Sequence, residues 1–253
     1  MSVLWSELSA AHLRHKAEAG ALVILPVAST EQHGPHLPTG VDTYLCAAVC
    51  ERAGRLMHDQ GKHVVVAPTL WVGLAEHHVS FGGTFTLGLR TYHALLADLL
   101  ASIKRAGFKQ TIIVNGHGGN IAALQALTTD LTRELDIALG VTTYFTLATE
   151  SFAATLEDQK AVHHACEAET SMMMAIRPDL VLNDRLNEAH GPFALDGTSP
   201  LNRPLNHWRS FKEITDSGVI GDARRATPAK GETLMAAAAA ALATKLIAGE
   251  PWA

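Results

Sequence analysis

Glu31 and His33 stand two residues apart with Asp42 further along the same stretch, and His117 lies much later among Gly116, Gly118 and Gly119. Residues two apart on extended backbone project to one side of the chain, so Glu31 and His33 can serve one centre. Imidazole and carboxylate donors suit zinc, manganese or iron better than magnesium or calcium. None of the three cysteines falls in either stretch, which sets aside a structural zinc knot. A mixed nitrogen and oxygen set with an open position is the catalytic arrangement. Asp42 allows two readings. It can cap a helix beginning near Thr43, as Asp often does, or it can bridge two metal ions. Glu31 and His33 beside it favour the bridge. Two ions held that way can share a hydroxide and polarise a carbonyl oxygen.

The glycines around His117 permit close approach of backbone to a ligand. A helix starting near Asn120 would point free N–H groups back at the site, where a polar substrate or oxyanion could rest against Gly116, Gly118 and Gly119. The plainer reading is a tight strand-to-helix turn. His78, in the run Glu76-His77-His78, reads either as a substrate contact or as a surface or interface residue. His163 and His164 lead to Glu167 and Glu169. Glu169 sits in an apolar helical context, where an unpaired ionised carboxylate is costly. A metal ion would remove that cost, and a salt bridge to an arginine is the alternative. Met172, Met173 and Met174 read as core filling.

Something must position these groups. Short apolar runs at 21–27, 63–67, 111–114 and 141–145 read as strands. Segments 43–56, 90–106, 120–135, 167–176 and 230–247 read as helices, with Gly107 stopping the second of them. The alternation implies parallel strands joined by helical crossovers. The expected fold is a single-domain α/β/α sandwich over residues 1–253, with helices on both faces of a mainly parallel sheet. Glu31 and His117 follow its first and third strands, at the carboxyl edge where such sheets bind ligands. Two long irregular stretches, 148–162 and 190–228, read as lids or subunit contacts. In the second, Phe193, Leu201, Trp208 and Phe211 could cover the site or join subunits.

A 253-residue chain with 47% hydrophobic residues can bury one sizeable core. Its net charge of −5, with no basic block, leaves no footprint for nucleic acid. Arg203, Arg209, Arg224 and Arg225 still leave room for a phosphorylated small molecule. No run reaches the roughly 20 apolar residues of a membrane span, and residues 1–16 lack the pattern of a secretory signal. His12, His15, His58 and His63 read as surface residues. Cys46, Cys50 and Cys166 read as buried free thiols. The expectation is a cytoplasmic protein acting on a small molecule.

The run from Ser29 through Glu31, Gln32, His33, Gly34, Pro35 and His36 to Pro38, with Asp42 at its spacing, resembles the first motif of the creatininase family of amidohydrolases. Asn115-Gly116-His117-Gly118-Gly119-Asn120 resembles the second, and His164 to Ser171, with Glu169-Thr170-Ser171, the third. Phe81-Gly82-Gly83-Thr84 is similar to the family's F-P-G-T element, with Gly82 replacing proline. Order and spacing agree from about residue 20 to 185. The resemblance implies a four-stranded α/β/α fold, commonly a homohexamer. It also implies two divalent ions per chain, zinc foremost, with manganese or iron as alternatives. Glu31, His33, Asp42 and His117 match the family's metal ligands, Asp42 bridging, and His164 matches a catalytic proton-transfer histidine. The implied reaction is hydrolysis of a C–N bond in a small cyclic or linear amide by a metal-held hydroxide, with His164 protonating the departing nitrogen. Two departures matter. Creatininase carries a carboxylate ligand at the position of Gly119, so Glu169 becomes the candidate for that place. Creatininase also encloses creatinine with tryptophans before the third motif, where this chain offers Phe152 alone, so creatinine itself is not the expected substrate. An N-formylamino pyrimidine and a peptide fragment of mycofactocin maturation are the other substrates the family suggests. The rival expectation is a non-catalytic metal-binding scaffold of the same fold.

Overall fold

The apolar runs become four strands of one parallel sheet: β1 (Leu22–Val27), β2 (Val64–Val66), β3 (Gln110–Asn115) and β4 (Ala138–Thr143). Their order is β2-β1-β3-β4. The computed structural model describes residues 2–157, 159–192 and 207–252. Phe193, Leu201 and Arg203 lie outside the described residues. Alternation along the strands divides the core in two. Leu22, Ile24, Val64, Val66, Ile112 and Val114 face α2 (Val41–Asp59), α6 (Glu167–Ile176) and α7 (Pro228–Ile247). Val23, Leu25, Val27, Val65 and Ile113 face α3 (Leu89–Arg105) and α4 (Ile121–Leu135), with α1 (Ala10–Glu18) at the margin. Both faces are therefore covered, as near-continuous apolar strands require.

Three expectations change. The 148–162 stretch is not wholly irregular, because Thr149–Thr155 forms a short helix, α5. Helix α1 lacks a strong apolar stripe and escapes a periodicity reading. Helix α2 begins at Val41, so Asp42 lies inside its first turn, while the cap position is Gly40 with no side-chain cap. The capping explanation of Asp42 is thereby removed. The cysteines are buried and unpaired, and the three methionines are core residues.

From β1 the chain crosses to β2 on one side, and β3 lies on the other. The carboxyl ends of β1 and β3 thus flank a topological switch point, the usual crevice of an open α/β sheet. Helices α6 and α7 pack so closely that a Cβ on Gly231 would run into the main-chain carbonyl of Ser171. That contact also fixes Glu169, two residues earlier. Gly231→Ala is expected to cost about 1–3 kcal/mol through overpacking, lowering the melting temperature by about 2–4 °C per kcal/mol. An unchanged melting curve would mean that α6 and α7 are not in such contact.

Candidate metal centre

Four segments converge at the switch point. The loop after β1 supplies Glu31 and His33, the first turn of α2 supplies Asp42, and the loop after β3 supplies His117. Residues 161–169, leading into α6, supply His164 and Glu169. Each of the six is buried, with Glu31 at 1% exposure, Asp42 at 3% and Glu169 at 5%. The short 3-10 helix Glu76–Phe81 adds His78 at 1%, which excludes its reading as a surface residue.

Asp42 is the junction. Its Oδ2 lies 3.0 Å from His117 Nδ1, and its Oδ1 lies 3.2 Å from His33 Nε2. Glu31 Oε2 is 3.0 Å from the same His117 nitrogen, and Oε1 is 3.1 Å from His78 Nε2. Glu169 Oε1 reaches His33 Nε2 at 4.0 Å, while its Oε2 accepts the Ala165 N–H at 2.6 Å. Among the described residues Glu169 has His33 as its ionic partner and no arginine. Glu31, Asp42 and His117 offer ligand atoms within 4.8 Å of one another, as do His33, His164 and Glu169.

These donors are arranged for a cation. Both Glu31 oxygens, Asp42 Oδ2 and His33 Nε2 are buried without an aligned hydrogen bond, although partners stand at ion-pair distance. Three rings hand their outer N–H to a main-chain carbonyl. His33 Nδ1 donates to Glu31 O at 3.1 Å, His117 Nε2 to Leu74 O at 3.2 Å, and His164 Nε2 to Gln32 O at 2.8 Å. Each inner nitrogen then faces the cluster, the usual outer support of a metal-ligating imidazole. Without an ion, protons do its work. Burial opposes charge on His33, but the Asp42 carboxylate overrides it and lifts the ring to about 9. Burial likewise opposes charge on His117, and Glu31 and Asp42 hold it well above the usual imidazole range. Burial raises Glu169 to about 7, against the pull of His33. His164 and His78, burdened chiefly by burial, lie below the usual imidazole range.

The loop after β3 is held by its asparagines. Asn115 Oδ1 accepts the His117 N–H at 3.1 Å, and its Nδ2 donates to His117 O at 2.7 Å. Asn120 Oδ1 accepts the Leu74 N–H at 3.0 Å. Helix α4 starts only at Ile121, after a single turn over Gly118–Asn120. Gly116 departs from its expected role, because its N–H is taken by Val27 O at 2.8 Å and a Cβ would meet Cys46. Gly118 faces open space. Gly116, Gly118 and Gly119 all line a pocket of about 320 Å³, together with His77, His78, Ile121, Phe145, Val162 and Phe211.

His77 has no role assigned from sequence, whereas Phe211 is one of the residues expected to cover the site or join subunits. His77 stacks on His117 at 5.7 Å, and burial, reinforced by His78, drives it to about 3. Phe211 comes from the long second stretch and packs on His78 at 4.1 Å and His164 at 5.0 Å. The described part of that stretch therefore covers the site, while Trp208 is exposed. Phe152 belongs to the core instead. Arg224 pairs with Asp222 and Arg225 with Glu157, and no lysine or arginine among the described residues lines the pocket.

A parallel sheet with buried carboxylates and imidazoles at its switch point defines an α/β protein of the metal-binding type. The creatininase family model, described as creatinine amidohydrolase, matches residues 6–246, and this chain belongs to the creatininase family. It is 35% identical over 224 residues to a mycofactocin precursor peptide peptidase of Mycolicibacterium smegmatis, covering 85% of this chain and 80% of that protein. A creatinine amidohydrolase of Pseudomonas putida is 26% identical, with 92% of each chain covered. A creatininase structure with manganese superposes with a TM-score of 0.83 at 24% identity, covering 99% of this chain and all of that one, 100%. Relatives in the family are thus hydrolases. Among the described residues, no helix is long and apolar enough to cross a membrane.

The family carboxylate missing at Gly119 has no room to return. A Cβ there would run into His117 Nε2 and Leu74 O, the pair that fixes the His117 ring. Gly119→Glu is therefore expected to lose bound metal rather than gain a ligand, read as ions per chain by elemental analysis. Equal or higher occupancy would show that the loop can yield.

Proposed function

We propose that this chain is a metal-dependent amidohydrolase that holds two divalent ions, zinc foremost, and cleaves a C–N amide bond. The observation that carries this is Asp42, whose two oxygens address two separate sets of donors. Glu31, Asp42 and His117 would hold one ion. His33, Asp42 and Glu169 would hold the other, Glu169 serving for the carboxylate absent at Gly119. When bound, the ions bring the pKa of water near 7 and draw charge from a carbonyl oxygen. His164 keeps its outer N–H on the Gln32 carbonyl, so its inner nitrogen can take a proton and return it to the departing nitrogen. His78 and Gly118 offer contacts to the substrate from the pocket wall.

For substrate, a linear amide in a peptide fragment is favoured over creatinine. The 35% identity to a peptide peptidase supports it, and so does the apolar wall of Ile121, Phe145, Val162 and Phe211. The tryptophan enclosure expected for creatinine has no counterpart, since Phe152 is in the core. Lack of a lysine or arginine among the described lining residues disfavours a phosphorylated substrate. We also propose a homohexamer in the cytoplasm. The exposed, edge-to-face pair Trp71 and Phe85 supplies apolar surface for subunit contact, and the free thiols suit a reducing compartment. A sedimentation mass of one chain would refute the assembly.

The direct test is elemental analysis of protein purified without chelators, for wild type and Asp42→Ala, alongside turnover of short peptides, formamides and creatinine. Roughly two transition-metal ions per chain are expected for a bridged pair. Asp42→Ala should lose at least one, and activity should fall beyond the roughly 10–100-fold typical of outer-shell losses. No bound metal even after reconstitution would sink the mechanism. Full metal with no turnover across the panel would favour the scaffold reading.

A further inference from the structure

The neighbours of Gln32 fix which end of its side-chain amide is which. The Gly34 N–H lies 2.9 Å from Oε1 and needs an acceptor, while the Gly218 carbonyl lies 3.0 Å from Nε2 and needs a donor. Nε2 has a second proton to place. Two ring nitrogens stand 2.9 Å away, His78 Nδ1 and His164 Nε2. His164 Nε2 cannot accept it, because that atom already faces the Gln32 main-chain carbonyl at 2.8 Å and so carries its own proton. The amide proton therefore goes to His78 Nδ1. A neutral imidazole has one N–H, so the proton of His78 sits on Nε2, the atom 3.1 Å from Glu31 Oε1.

We propose that Gln32 is a positioning residue that holds His78 with its proton on Nε2, making His78 a hydrogen-bond donor into the pocket and not a metal ligand. This is the reverse of His33, His117 and His164, whose outer nitrogens meet carbonyls and whose inner nitrogens are left bare for the cluster. Glu31, His78 and His164 also come within 4.8 Å of one another, yet an inner N–H cannot ligate a cation, so this third group is not an ion site. The His78 N–H stands 3.1 Å from Glu31 Oε1 without an aligned hydrogen bond to it, so an oxygen of a bound ligand shares this donor with that carboxylate. A carbonyl oxygen, or the oxyanion it becomes, is the chemical class that such a donor recognises. The device is well braced. A Cβ on Gly218 would run into the Gln32 amide, and Phe211, from the same segment, packs on the His78 ring at 4.1 Å.

The catalytic consequence rests on the hydrolase reading above, whereas the proton placement does not. The test is long-range ¹H–¹⁵N correlation on ¹⁵N-histidine-labelled, zinc-loaded protein, with His78 and His164 assigned by substitution. Wild type should show both rings protonated on Nε2. Gln32→Glu should move the His78 proton to Nδ1, because a carboxylate only accepts, and should leave His164 unchanged, because its partner is main chain. A wild-type His78 protonated on Nδ1, or a pattern indifferent to Gln32→Glu, overturns the proposal, and the first of these does not depend on Gln32→Glu folding. On any amide the wild type cleaves, Gln32→Glu should lose about 100-fold or more in kcat, as for one removed oxyanion donor, with KM and zinc content little changed. Unchanged kcat would overturn the catalytic half. The predicted tautomers in a protein that cleaves nothing would sink the hydrolase reading alone.

Discussion

Three carboxylates buried side by side set the condition that the rest of this structure must meet. Each of Glu31, Asp42 and Glu169, taken from water, costs several kcal/mol unless positive charge is returned to it. Among the described residues their ionic partners are imidazoles alone. Without an ion, burial opposes charge on His33 and His117 but the neighbouring carboxylates lift both rings, while burial itself pushes Glu169 toward neutrality against the pull of His33. A cluster that holds extra protons against this charge is one that divalent cations can satisfy better. The same deficit explains why these residues cannot be separated from the fold: each sits on a different element, and each depends on the others for its charge balance.

The main chain does most of the orienting. Carbonyls of Glu31, Leu74 and Gln32 take the outer N–H of three rings, and main-chain N–H groups steady Glu169 and Gln32. Such partners cannot be lost by mutation of their own side chains. They hold only if the loops carry the right path, so Asn115 and Asn120, which tie the loop after β3 to its neighbours, serve the cluster without touching it.

On the proposed two-ion reading, the Gly119 and Glu169 pair would move one ligand to a new address within the fold. Crowding by His117, His77 and the Leu74 carbonyl leaves glycine as the residue that fits beside the cluster. The carboxylate beside the cluster is Glu169 of α6, and α6 is held at that depth by the close approach of Gly231 of α7 to the Ser171 carbonyl. The left-handed turn at Ala165, φ 51°, lets His164 and Glu169 face the same centre although they are five residues apart in sequence.

Much of this was legible without coordinates. The strand and helix alternation, the carboxyl-edge location and the grouping of Glu31, His33, Asp42 and His117 all follow from local patterns, because hydrophobic period and short-range spacing reflect local geometry. Asp42 was ambiguous, since a carboxylate near a helix start reads alike as a cap or a ligand until the helix boundary is known. Glu169 was a guess from the cost of burying its charge. The roles of Gln32 and His77 have no local signature, and Phe211 reads alike as a cover for the site or a subunit contact until its packing on His78 and His164 is known. The amino-acid sequence by itself determined the sheet, its order of chemistry-bearing loops and the family. Only the tertiary structure decided which nitrogen of each ring faces inward and which residues from distant segments complete the centre. Those choices depend on hydrogen-bond partners and packing distances between segments far apart in the chain, which no local pattern encodes.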